Sequence, residues 1–143
     1  MAIKPGRIRV REHKSDCAIS GLRIFRGFTT HFVFGNCDAD KAELREAMDE
    51  IGATLHEHFG SLELEGRMLA WTHGDQQRLL RDIEQSGAYD FLFYGHSHHA
   101  ERRRTGKTLV VNPGALHRAR EKTFVILDLA TGELEDVVVP EGK

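Results

Sequence analysis

Residues 89–99 read Tyr-Asp-Phe-Leu-Phe-Tyr-Gly-His-Ser-His-His, an apolar run that stops at a glycine and is followed at once by three imidazoles. Aromatic residues without helical spacing predict a buried strand over 89–94. Two other segments share this layout. Residues 29–34 (TTHFVF) end at Gly35 and lead into Asn36-Cys37-Asp38, and residues 68–72 (MLAWT) lead into His73-Gly74-Asp75. Each strand delivers ligand-type side chains at its carboxyl end, where the loops of an open α/β sheet converge. Asn36, His73, His96 and His98 are expected to meet there although they are far apart in sequence. His96 and His98 sit two apart, so extended backbone would point both to one side. Glycines at 35, 74 and 95 let the chain turn closely around a bound group. An amide oxygen with imidazole nitrogens suits Mn, Fe or Zn better than Ca.

Between these strands, residues 38–51 carry Ala42, Leu44, Ala47, Met48 and Ile51 at near-helical spacing and close at Gly52, which predicts a helix. Residues 75–86 repeat the pattern with Leu79, Leu80 and Ile83, followed by Gly87. Residues 61–65 (SLELE) alternate as a half-exposed strand, with a turn expected at Gly66-Arg67 into 68–72. Residues 108–111 form a strand stopped by Asn112-Pro113-Gly114. Residues 123–129 and 133–139 pair across Ala130-Thr131-Gly132. Strands alternating with helices predict an α/β fold, a sheet layered with helices, with antiparallel strands added by the hairpins.

A chain of 143 residues corresponds to about one domain. Its 40% hydrophobic content and three prolines exclude a disordered or collagen-like chain. No apolar run reaches the length of a membrane-spanning helix, and residues 1–10 are too polar for a signal peptide. Two cysteines make no disulfide framework, which places the chain in the reducing cytoplasm. A net charge of −2 gives no general attraction to nucleic acid or membranes. Within it, Lys4, Arg7, Arg9, Arg11, Lys14, Arg23 and Arg26 oppose only Glu12 and Asp16 over residues 1–31. This stretch reads either as a phosphate-binding arm or as a sequence of a different kind from the remainder of the chain. Residues 1–21 show neither alternation nor helical period, so they are set apart as an atypical segment from a domain over 22–143. Arg102-Arg103-Arg104 with Lys107 reads as a solvated hairpin tip or as a cationic rim for an anionic substrate. Arg118 and Arg120 have the same two readings, with more weight on the substrate.

Gly35-Asn36-Cys37-Asp38, Thr72-His73-Gly74-Asp75, Gly95-His96-Ser97-His98 and Asn112-Pro113-Gly114 resemble the later motifs of the calcineurin-like metallophosphoesterase superfamily in order, spacing and strand context. The nearest branch is its small bacterial and archaeal phosphodiesterases, and the resemblance runs from about Leu22 to the C-terminus. It implies a layered α-β-β-α sandwich of two mixed sheets. It also implies a phosphoesterase, a phosphodiesterase or phosphatase, that hydrolyses phosphate esters by metal-activated water at two divalent ions, Mn, Fe, Zn or Ni. Carried over by position, Asn36, His73 and His96 are ligands of one ion and His98 of the other. Asn36 is also placed to touch the substrate phosphate. Cys37 stands where many members have a histidine that protonates the leaving group.

The family's opening Asp-x-His and Gly-Asp motifs are absent from this sequence. Upstream, His13, Asp16 and His31 lack the expected context, and Asp16 to Gly21 lies where the Gly-Asp loop is expected. Three neutral ligands hold a dication weakly, and a thiol with a pKa of about 8.5 is a poor acid/base at neutral pH. The expectation is therefore a sandwich incomplete at its N-terminus, with two ions implied by the family but room for fewer here, hydrolysing weakly or not at all. The alternative is a catalytically dead phosphoesterase fold that serves as a binding or oligomerisation module, with a homo-oligomer formed through exposed edge strands.

Overall fold

The computed structural model describes residues 2–4, 7–10, 26–35 and 41–141. In chain order its elements are β1 (Ala2–Lys4), β2 (Arg7–Val10), β3 (Thr29–Phe32), α1 (Lys41–Glu50), β4 (Thr54–Leu55), β5 (Phe59–Leu64), β6 (Arg67–Thr72), α2 (Gln77–Gln85), β7 (Phe91–Phe93), β8 (Ala100–Thr105), β9 (Thr108–Pro113), β10 (Thr123–Asp128) and β11 (Leu134–Val138). They form a six-stranded sheet in the order β11-β10-β2-β1-β3-β4 and a five-stranded sheet in the order β5-β6-β7-β9-β8. β6, β7 and β9 run parallel, with antiparallel strands on either side.

Period-2 burial explains how the sheets stack. Ile8, Val10, Val125 and Leu127 from one sheet meet Leu69, Trp71, Phe91, Phe93 and Val111 from the other in one apolar core. All three residues of β7 are buried, as a strand covered on both faces requires. Helix α1 lays Leu44, Ala47 and Met48 on Phe34, with Phe32 and Leu55 alongside. Helix α2 lays Leu80 and Ile83 on Ala70, Leu92, Tyr94 and Val110. The result is the layered α-β-β-α sandwich that the resemblance implies.

Several local expectations shift. Helix α2 begins at Gln77 rather than at 75, while α1 is described from Lys41 onward and its expected start at 38 falls among residues 36–40, outside the described residues. The turn expected at Gly66-Arg67 falls one residue earlier, at Glu65-Gly66, where both φ angles are positive (48° and 76°). That is the twist a two-residue hairpin demands. Arg102-Arg103-Arg104 is no hairpin tip but lies within β8, paired with β9. β9 in turn runs on through Pro113, which pairs with Ala100. The short fragment Ile8-Arg9-Val10 serves as an interior strand, flanked by β1 and β10.

A pair of histidines lies at the edge of this core. His31 is buried, and its Nδ1 is 2.9 Å from His56 Nε2. Both rings meet Trp71 edge-on, at centroid distances of 5.6 and 4.9 Å. Burial, reinforced by the neighbouring His56, lowers the His31 pKa from 6.5 to about 4. The folded protein therefore keeps His31 neutral where the unfolded chain protonates. The stability this contributes is complete above the unfolded value and is lost as pH falls from about 6.5 to about 4.

Two experiments check these points. A β-carbon on Gly60 would drive into the Trp71 indole, so Gly60→Ala is expected to cost about 1–3 kcal/mol by overpacking. Gly66→Ala meets nothing but keeps a left-handed φ, for about 1–2 kcal/mol. Urea unfolding measures both, and fluorescence of the single tryptophan should change only for Gly60→Ala. Secondly, His31→Gln should flatten the fall in stability between pH 6.5 and 4 relative to the native chain, read as melting temperature against pH. An identical slope would refute the assignment to His31.

Candidate metal centre

The parallel register of β6 and β7 pairs Leu69 with Phe91, Ala70 with Leu92 and Trp71 with Phe93. The residues next in the chain therefore leave the sheet side by side. The Gly95 N–H donates to the His73 carbonyl at 2.8 Å. Gly74, at φ +102°, lies so close that a β-carbon would sit 3.1 Å from both the Gly95 carbonyl oxygen and the Tyr94 ring. Only glycine fits that crossing without strain. The two loops bring His96 Nδ1 to 3.2 Å from His73 Nε2, with ring centroids 5.1 Å apart and planes at 77°.

The end of β3 reaches the same place. A β-carbon on Gly35 would stand 3.2 Å from the His73 ring. The Phe34 N–H donates to the Glu57 carbonyl at 2.7 Å, and Arg45 of α1 donates to both Glu57 carboxylate oxygens at 2.6 and 2.7 Å. These bonds tie the segment beneath α1. Asn36 and Cys37 follow Gly35 directly but lie outside the described residues, as do His13 and Asp16.

His96 and His98 do not adopt the extended backbone expected of them. Their φ angles are +73° and +61°, left-handed values that L residues adopt sparingly. The ring next to His98 is His117, at a centroid distance of 6.3 Å. Buried Asn112 arranges this corner. Its amide Nδ2 donates to the Gly95 carbonyl at 3.2 Å and to Ser97 Oγ at 3.0 Å, while its Oδ1 accepts from the Gly114 N–H at 3.0 Å. The Asn-Pro-Gly loop is thereby fastened to the Gly-His-x-His loop. The sequence alone does not single out His117, whose one signal is its place three residues beyond Gly114.

Among the described residues, no three His, Cys, Asp or Glu side chains are grouped to hold a metal ion. The structure brings His73 and His96 together, with His98 beside His117. Two nitrogens about 2.0–2.1 Å from one ion, at right or tetrahedral angles, lie about 2.8–3.4 Å apart. The 3.2 Å contact of His73 with His96 fits that spacing, and neutral imidazoles fit a divalent transition metal.

The arginines divide. Arg102 pairs with Asp136 at 2.7 Å, Arg103 with Glu84 at 2.7 Å, and Arg104 donates to the Lys107 carbonyl at 3.1 Å. That run is therefore engaged within the protein. Arg118 and Arg120 are exposed on the loop beyond Gly114, with Arg118 at φ +51°.

Comparison with known proteins agrees with this geometry. The calcineurin-like phosphoesterase superfamily domain matches residues 12–132. A phosphodiesterase of Methanocaldococcus jannaschii is 30% identical over 109 residues, 74% of this chain and 66% of the relative. The match thus spans just under two thirds of that relative's length. The solved structure of an archaeal phosphodiesterase superposes with a TM-score of 0.77 at 27% identity, over 87% of this chain and 79% of that one. A conserved protein of Streptococcus pneumoniae shares the fold, with a TM-score of 0.57 at 17% identity over 94% and 98% of the two chains. With its glycine–histidine loops on parallel strand ends inside an α-β-β-α sandwich, the chain belongs to the calcineurin-like phosphoesterase superfamily.

Proposed function

We propose that this chain hydrolyses phosphodiesters with a divalent metal ion held between His73 and His96. The observation that carries the reading is the 3.2 Å approach of His73 Nε2 to His96 Nδ1, made by two loops that the parallel register forces together. When bound, a divalent ion supplies charge neutralisation at the phosphoryl group and acidifies water at neutral pH. His73 and His96 offer ring nitrogens from a half-buried and an exposed position. His98 and Asn36 are assigned as further donors by their motif positions alone, and Asn36 also to the substrate phosphate. Arg118 and Arg120, solvent-exposed beyond the Asn112 corner, draw the anionic ester towards the site. Cys37 takes the leaving-group position, where a thiol transfers a proton less readily than an imidazole at pH 7.

The donors at the motif positions are neutral, which limits their hold on a dication and predicts slow turnover. Manganese is the proposed ion, and the cytoplasm the proposed compartment on cysteine usage. No described helix is long and apolar enough to cross a membrane.

The direct assay is hydrolysis of bis(p-nitrophenyl) phosphate with added Mn²⁺. Turnover should stay below about 1 s⁻¹, the lower end of the usual enzyme range, and should vanish with chelator. His73→Ala and His96→Ala should each remove at least nine tenths of it. Hydrolysis that persists in both variants would overturn the reading.

A further inference from the structure

Behind the two histidine loops, the helix after His73 and the strand after His96 end on one guanidinium. Arg103 of β8 donates to Glu84 of α2 through Nε (3.0 Å to Oε1) and Nη2 (2.7 Å to Oε2). The Thr105 hydroxyl adds a third bond to the same carboxylate, at 2.5 Å. Through Nη1, Arg103 also donates to the Tyr94 hydroxyl at 2.9 Å and to Glu101 at 3.3 Å. Tyr94 in turn donates to Glu101 Oε2 at 2.6 Å, and the guanidinium carbon lies 5.2 Å from the centroid of its ring. Glu84 is 11% exposed, and the bond from Arg103 holds its carboxyl below the usual carboxylate range.

Tyr94 connects this network to the site. It is the residue before Gly95, and its buried ring closes on Gly74 at the crossing of the two loops. A forked, bidentate guanidinium restrains both partners in angle as well as distance, which an ammonium does not. Surface ion pairs contribute little to stability as a rule. This one is well shielded on the Glu84 side and joins α2 and β8, the elements that follow the two histidine loops, to Tyr94 between them.

We propose that Arg103 is a positioning residue for the metal centre: by gripping Glu84 and Tyr94 together it presses the Tyr94 ring against Gly74 and keeps His73 and His96 at ligand spacing. The inference rests on the reading that these two histidines hold a divalent ion. Its first readout needs no ion at all.

The test compares the native chain with Arg103→Gln, Arg103→Lys and Tyr94→Phe. Arg67→Gln serves as a stability control, since Arg67 bonds the Leu129 carbonyl at the opposite hairpin. Imidazole ¹⁵N resonances of the metal-free protein report the His73–His96 contact, and a Co²⁺ titration reports affinity. Arg103→Gln should shift the His73 and His96 resonances and weaken Co²⁺ binding by about 10–100-fold, the range for partners outside the ligand set. Arg103→Lys should recover only part of this, and Tyr94→Phe should shift the same resonances less. Arg67→Gln should lower the melting temperature and leave both readouts in place. Unshifted histidine resonances in Arg103→Gln overturn the proposal, and if that variant does not fold, unshifted resonances in Tyr94→Phe do so. Shifted resonances together with no Co²⁺ binding in the native chain would leave the positioning role standing and overturn the metal reading instead.

Discussion

Burial of β6 and β7 on both faces at once places everything at the site. Leu69, Trp71, Phe91 and Phe93 fill the space between the sheets, while Ala70 and Leu92 lie under α2. Each large apolar side chain so buried contributes about 1.5–3 kcal/mol. A one-residue slip of either strand would turn these side chains to the wrong face. Trp71 opposite Phe93 is thus the register with the greatest burial. Once it is set, the chain emerges from the two strands at neighbouring points, and the His73–His96 contact follows from that packing.

Polar groups then refine what packing positions. The Asn112 side chain fastens two loops by three hydrogen bonds from a buried site. Buried amides of this kind specify geometry because leaving any one bond unmade costs about 1–3 kcal/mol. Glycines at 35 and 74 allow backbone and ring to approach within contact distance. On the far side, Glu57 and Arg45 tie the β3 segment to α1.

Much of this was legible in the sequence, for definite reasons. The runs FVF, LAW and FLFY are apolar because both faces are covered, and the leucines at 44 and 80 mark helix faces. Convergence of strand ends is a consequence of parallel topology, and the motifs point to the family to which the chain belongs. Less legible was whatever depends on tertiary pairing. Ala-Glu-Arg-Arg-Arg-Thr carries no strand signal, since an edge strand tolerates charge and is held by β9 and by ion pairs to Glu84 and Asp136. The turn includes Glu65 because a hairpin needs two residues of positive φ while glycine advertises only one. The left-handed backbone at His96 and His98 is imposed by neighbouring loops, and the approach of His117 to His98 has no spacing that announces it.

Whether His73 and His96 share one divalent ion is decided by X-ray absorption of the Co²⁺-loaded protein, because imidazole ligands give a distinctive outer-shell scattering pattern. At least two imidazoles per ion in the native chain, with their loss in the His73→Ala/His96→Ala double variant, is the predicted result. An unchanged imidazole count in the double variant would contradict it.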